Sequence, residues 1–232
     1  MFKPGKALGR QIFEWGRQVR SLTGWDTTRM LVKLRVASGH ERWQLAASLG
    51  GQRLHDSHLR QIIMLMDSPD ALLRWLLEEV LISRGGKQVI SQCRARLQAG
   101  GDTGGIVGCL RVLGALEVIE ALPDVVRLSA YPDTHVRVAA AEALRAFLDD
   151  VRAQEALAVL LEDNVPAVRR AAVWALRRSD APWAVSKLAS LAQSSSEPWF
   201  SSPPPGSTLT EGLPVGSVVR EEHHDRIDAS LS

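Results

Sequence analysis

Two cysteines, a pair of histidines and a glycine run are the residues whose types and spacing could do chemistry. Cys93 and Cys109 would need a nearby base or cation to become thiolate nucleophiles. Their spacing fits no metal motif, and the sequence places no histidine beside either. His55 and His58 stand three apart near a helix start and could face one side as metal ligands. The expectation is instead two surface imidazoles at a helix cap. The run Gly100-Gly101-Asp102-Thr103-Gly104-Gly105 lacks the Lys-Ser/Thr ending of a phosphate-binding loop. It reads as a flexible linker. No Gly-x-Ser-x-Gly elbow is present, and His223-His224 sits in a stretch with no scaffold to hold a site. Arg42, Arg74, Arg137 and Arg169 could be a phosphate ladder, yet each lies near a candidate capping residue. A guanidinium there suits hydrogen bonds and ion pairs between neighbouring segments. No catalytic residue, metal ligand or cofactor-binding residue is assigned, and no cofactor is expected.

The elements that position these residues are helices. The chain has 232 residues, 45% hydrophobic and 23% charged, with only 5% aromatic. That balance excludes a wholly disordered chain and a polytopic membrane protein. Abundant Ala, Leu and Arg favour helix, because these side chains lose little rotamer freedom there. The formal net charge of +2 hides an asymmetry. Residues 1–100 carry 16 Lys/Arg against 8 Asp/Glu, and the remainder carry 12 against 18. A basic end attracts acidic protein, nucleic acid or anionic lipid, and charge alone does not choose. With two cysteines a disulfide framework is excluded, and a reducing, cytoplasmic setting is expected. Charges recur through the first thirty residues, leaving no signal-peptide core, and no run of apolar residues is long enough to span a membrane.

A repeat decides the fold. Segments ending at Leu49, Leu81, Leu113, Leu144 and Leu176 recur at intervals of 32, 32, 31 and 32. Seven residues before each leucine stand Arg42, Arg74, Ile106, Arg137 and Arg169. Eleven before stand Ser38, Asp70, Asp102, Asp133 and Val165, four of them residues that accept hydrogen bonds from the free N–H groups of a helix's first turn. Ser38 with Glu41 reads as a capping box, and Asn164 is expected to cap the fifth copy. Leu45, Leu77, Cys109, Ala140 and Ala172 stand four before, and Ala46, Glu78, Leu110, Ala141 and Val173 three before, forming one stripe at helical spacing. Each copy reads as a helix, a break and a second helix. Gly50-Gly51, Gly85-Gly86, Pro123, Asp149-Asp150 and Ser179 to Pro182 mark breaks or second-helix starts. Such pairs bury their apolar stripe only by stacking.

The pattern Pro132, Asp133, Val136, Arg137, Ala140, Ala141, Ala143, Leu144, echoed by Asn164, Val168, Arg169, Ala171, Ala172, Ala175 and Leu176, resembles HEAT repeats of the phycobilisome-lyase-like type over about residues 38–192. The resemblance implies an all-α fold, an α-α superhelix of HEAT-like solenoid form, used mostly for protein binding. It also raises a chromophore-lyase-like activity as an alternative, although fold does not fix function. The third copy fits least, since Gly104, Gly105 and Gly108 stand where a helix prefers other residues. His40-Glu41 resembles the paired ligands of HEAT-like di-iron hydroxylases, but no second copy carries such a pair. The family's binding face implies that the second helices line it, and Arg60, Arg94, Arg96 and Arg127 on those helices form a candidate basic strip.

The expected organisation is an N-terminal capping helix pair over 1–37, a five-repeat solenoid over 38–193 and a disordered tail over 194–232. In the first pair, Leu8, Ile12, Trp15, Val19 and Leu22 form an apolar seam, with Lys3, Lys6, Arg10, Arg17 and Arg20 opposite. Residues 5–22 therefore suit either a cap or peripheral contact with an anionic membrane. The tail is rich in Ser, Pro and Gly and carries Trp199-Phe200 as a possible linear motif. The expected function is a non-catalytic protein-binding scaffold or adaptor. Its expected partner is a protein, with nucleic acid or an anionic surface reached through the basic N-terminal region as the other alternative.

Overall fold

The structure, a computed structural model, describes residues 26–194. The expected helix over residues 5–22, the tail beyond Ser194 and Trp199-Phe200 lie outside the described residues. Within them the chain is all-α. Its α-helices are α1 (Thr27–Leu34), α2 (Gly39–Gly51), α3 (Asp56–Leu65), α4 (Ala71–Arg84), α5 (Gly86–Ala99) and α6 (Thr103–Ala115), then α7 (Leu122–Ser129), α8 (Thr134–Leu144), α9 (Val151–Leu161), α10 (Pro166–Arg177) and α11 (Pro182–Ser194). Single 3-10 turns, Ile119–Ala121 and Arg145–Phe147, precede α7 and follow α8.

The helices stack in two rows. Even-numbered helices pack in the order α2, α4, α6, α8, α10, and odd-numbered helices in the order α1, α3, α5, α7, α9, with cross-row contacts from each of these odd-numbered helices to the even-numbered helix that follows it. This is the HEAT-like solenoid that the repeat predicts, in which each pair meets mainly its neighbours. Leu49, Leu81, Leu113, Leu144 and Leu176 are each 0% exposed, so the five leucines are one buried position met five times. Between the rows runs a continuous core that also takes Leu45, Leu77, Cys109, Ala140 and Ala172.

Helix ends differ from expectation in five places. Ser38 sits at the N-cap of α2 without a side-chain hydrogen bond, and Glu41 pairs with Lys33 (2.5 Å) instead of closing a capping box. Helix α2 runs through Gly51, so the first break falls at Gln52. Val165, not Asn164, occupies the N-cap of α10, and Asp163 accepts its N–H at 2.8 Å. The glycine run is not a linker throughout: α6 starts at Thr103 and takes Gly104, Gly105 and Gly108 into its body. Asp70 and Asp133 do cap, accepting from the N–H of Leu73 and from those of His135 and Val136, whereas Asp102 sits at the N-cap of α6 without a side-chain hydrogen bond. Gly85 joins α4 directly to α5 at φ 55°, a left-handed backbone that favours glycine.

Candidate binding surface

Repeat-equivalent arginines hold the stack together. Arg42, Arg74, Arg137 and Arg169 each donate to backbone carbonyls of the loop before their own helix: to Ala37 (2.7 Å), Ser68 (2.6 Å), Tyr131 (3.0 Å) and Asp163 (2.9 Å). Two of them also reach the next repeat. Arg42 pairs with Asp70, and Arg137 grips Asp163 with Nε and Nη2 at 2.7 and 3.2 Å. Two parallel N–H donors to one carboxylate make a geometrically specific tie. Burial alone would raise the Asp163 carboxyl, but Arg137 and the Val165 N–H outweigh it and hold the group below the usual carboxylate range. The N–H of Leu73, with Arg42 beside it, lowers Asp70 in the same way.

Arg60, Arg94, Arg96 and Arg127 lie on the odd row, on α3, α5 and α7. Arg94 and Arg127 both approach Asp124, at 3.3 and 3.7 Å, and Arg127 also donates to the Leu97 carbonyl at 2.8 Å. Arg96 reaches Asp67 instead, with Nη2 at 2.8 Å from both carboxylate oxygens, while the N–H of Gly105 donates to the same group. These three guanidiniums are thus engaged between repeats. Arg60 is exposed and makes only a 3.4 Å contact to the Asp56 carbonyl of its own helix.

The other sequence candidates resolve into structural roles. His58 Nδ1 accepts from the N–H of His55 at 3.3 Å across the first turn of α3, so the histidine pair caps a helix. His40 Nε2 lies 2.9 Å from Gln44 Nε2 on an exposed face. Cys93 and Cys109 are both buried, and the neighbouring Cys93 thiol together with burial pushes Cys109 well up, away from the thiolate form. Among the described residues no group of three His, Cys, Asp or Glu is placed to hold a metal ion.

The structure adds two features that the repeat alone does not announce. Six residues before each buried leucine the even row carries Trp43, Trp75, Val107, Val138 and Arg170, all half-buried. Trp43 and Trp75 meet edge to face with ring centroids 5.2 Å apart. The second feature is Glu78, which occupies the stripe that other copies fill with Ala, Leu or Val. It is 6% exposed, and Arg111 Nη1 stands 3.8 Å away while Arg111 Nε donates to Glu142 at 3.1 Å.

Burial pushes the Glu78 carboxyl up to about 7; Arg111 pulls it down less than burial lifts it, and Glu142 and Glu79 add to the rise. Because the folded chain then holds this proton more tightly than the unfolded chain, stability should fall as pH rises from about 4.5 through 7, then level off. Glu79, also raised by burial, adds a shallower slope. Glu78→Gln keeps the shape and the neutral form. It should flatten most of that slope and stabilise the protein at alkaline pH by about 2–3 kcal/mol, read by urea unfolding at several pH values. An unchanged slope would contradict the assignment.

Comparison with known families places a name on the last copies of this stack. Residues 127–201 match the family model of HEAT repeats. The matched HEAT segment begins within α7 and covers α8 to α11, the region where the Pro-Asp-x-x-Val-Arg pattern is clearest. The two-row packing carries on without interruption from these HEAT repeats back to α2. No curated protein matches the chain.

Proposed function

We propose that this chain is a non-catalytic protein-binding scaffold acting in a reducing, cytoplasmic setting. The observation that carries this reading is a division of labour across equivalent positions. Arginines seven before the buried leucine are engaged in holding loops and repeats together, whereas Trp43, Trp75, Val107 and Val138, one residue further on, rest on the core and keep part of their surface open in a row. Partly exposed aromatic and aliphatic side chains on rigid helices are the usual material of protein interfaces, since their burial releases water at little entropic cost. HEAT repeats generally serve as protein-interaction scaffolds, in keeping with this reading. The free, buried thiols of Cys93 and Cys109 agree with a reducing compartment, and no described helix is long and apolar enough to cross a membrane.

The test has two stages. The full chain is used to capture proteins from its native host, and each purified prey is then titrated against wild type and against Val107→Arg/Val138→Arg. The expected result is saturable binding that the double variant weakens by at least about tenfold, or 1.4 kcal/mol, with the far-UV spectrum unchanged. Two results would overturn the reading: no prey that binds once purified, or lasting transfer of a linear tetrapyrrole to an acceptor protein, the activity that lyase-type repeats imply.

A further inference from the structure

At the N-terminal end of the odd row, α1 and α3 leave a groove of about 320 Å³ between them. Its walls are Leu31, Val32, Met64 and Leu65, with Thr28, Arg35 and Gln61 completing the lining. Val32 is 62% and Met64 66% exposed, an unusual pairing for large apolar side chains one row-step apart. Methionine adapts its shape to whatever it meets, which suits a binding groove more than a core.

The charged side chains beside this groove are arginines. Seven guanidiniums elsewhere in the stack face carboxylates, those of Arg42, Arg94, Arg96, Arg111, Arg127, Arg137 and Arg152. Arg35 in the lining and Arg29, one turn before Val32, form no ion pair with a described residue. Arg60, one turn before Met64, reaches only a backbone carbonyl at 3.4 Å. Asp26 and Asp56 are the acids that begin these two helices, and neither lines the groove. An apolar floor thus lies between cations that pair with no carboxylate of a described residue.

We propose that the α1–α3 groove takes an acidic amphipathic helix of a protein partner. The inference rests on the scaffold reading and names the chemistry of one partner. A helix with aliphatic residues at i, i+3, i+4 and i+7 lays them against Val32 and Met64, as helices do in apolar grooves. Glu or Asp residues flanking that seam meet Arg29, Arg35 and Arg60. These rim charges steer association and select against basic helices, and their effect weakens as salt screens them.

The probe is a synthetic, fluorescently labelled helical peptide with a Leu seam flanked by Glu, titrated by anisotropy against the full chain. The expected result is saturable binding that falls at least about tenfold, or 1.4 kcal/mol, in Met64→Glu and likewise in Arg35→Glu/Arg60→Glu, with affinity declining as salt rises. All three positions are exposed, so the variants keep the fold, which far-UV dichroism checks. Absence of saturation, equal binding of a peptide with Lys in place of Glu, or indifference to Met64→Glu would each overturn the proposal. So would preferential binding of a peptide spanning residues 217–232, which would make the groove a seat for this chain's own tail, or of phosphatidylserine vesicles, which would make it a membrane contact. If prey captured by the wild type binds the groove variants unchanged while the probe peptide fails, the groove assignment falls alone. If no prey binds wild type at all, the scaffold reading falls with it.

Discussion

Replacing Leu144 with Ala should lower the free energy of unfolding by about 2–5 kcal/mol. The side chain is fully buried in α8, a helix that packs against α6 and α10 along its own row and against α7 and α9 across it. Truncation removes apolar contacts on all those sides and leaves a cavity that a packed interior fills only in part. Leu49, Leu81, Leu113 and Leu176 occupy the same environment, so their truncation should act in the same direction. Val159→Ala is the control: Val159 is exposed, and the change should fall within about 0.5 kcal/mol. Urea unfolding followed by far-UV dichroism reads both. A loss below about 0.5 kcal/mol for Leu144→Ala would mean that the leucines are not the anchors of their repeats.

The second large effect concerns one substitution that should act with opposite signs at two glycines. In α6 a Cβ added at Gly104 would lie 2.5 Å from the backbone carbonyl oxygen of Met66 and 3.2 Å from the Cα of Asp67. Backbone cannot rotate away as a side chain can, so Gly104→Ala should cost about 1–3 kcal/mol from overpacking, even though Ala is the better helix former. At Gly51, the last residue of α2, nothing lies within 4 Å of the added carbon. There the substitution restricts the unfolded chain without a clash and should stabilise by about 0.4–1 kcal/mol. Thermal unfolding of the two variants side by side checks the contrast. A stabilising Gly104→Ala would show that α6 stands further from the α3–α4 loop than described.

Those glycines also mark where sequence reasoning stopped. The repeat period was legible because packing imposes it: a buried leucine, a small-residue stripe and a polar cap recur wherever one helix pair must fit against the next. The third copy looked poor because helix propensity counts against glycine. In the fold, Gly104, Gly105 and Gly108 let α6 approach Met66, Asp67 and Arg96, and tertiary closeness overrides propensity. Caps were legible at Asp70 and Asp133, but Asp102 holds the same position in α6 and makes no side-chain hydrogen bond there. Caps were not legible at Ser38 or Asn164, where a salt bridge and a neighbouring carboxylate take over. The binding strip suffered most. Periodicity puts Arg60, Arg94, Arg96 and Arg127 on the second helices, but it carries no information about which carboxylate, if any, each one meets. Asp67 and Asp124 absorb three of them. The α1–α3 groove had no motif to announce it, since its apolar walls come from two helices separated by a third.

The indoles of the described stack are distributed unevenly, and this gives the molecule its own optical markers. Trp43 and Trp75 sit in the first two pairs, Trp174 and Trp183 in the last, and none falls between residues 85 and 173. With Trp15, Trp25 and Trp199 replaced by Phe, emission from these four indoles watches the two extremities of the described stack while dichroism watches every coil at once. A stack whose ends fray before its middle should lose its fluorescence signature at lower denaturant than its ellipticity, and one that melts as a unit should lose both together.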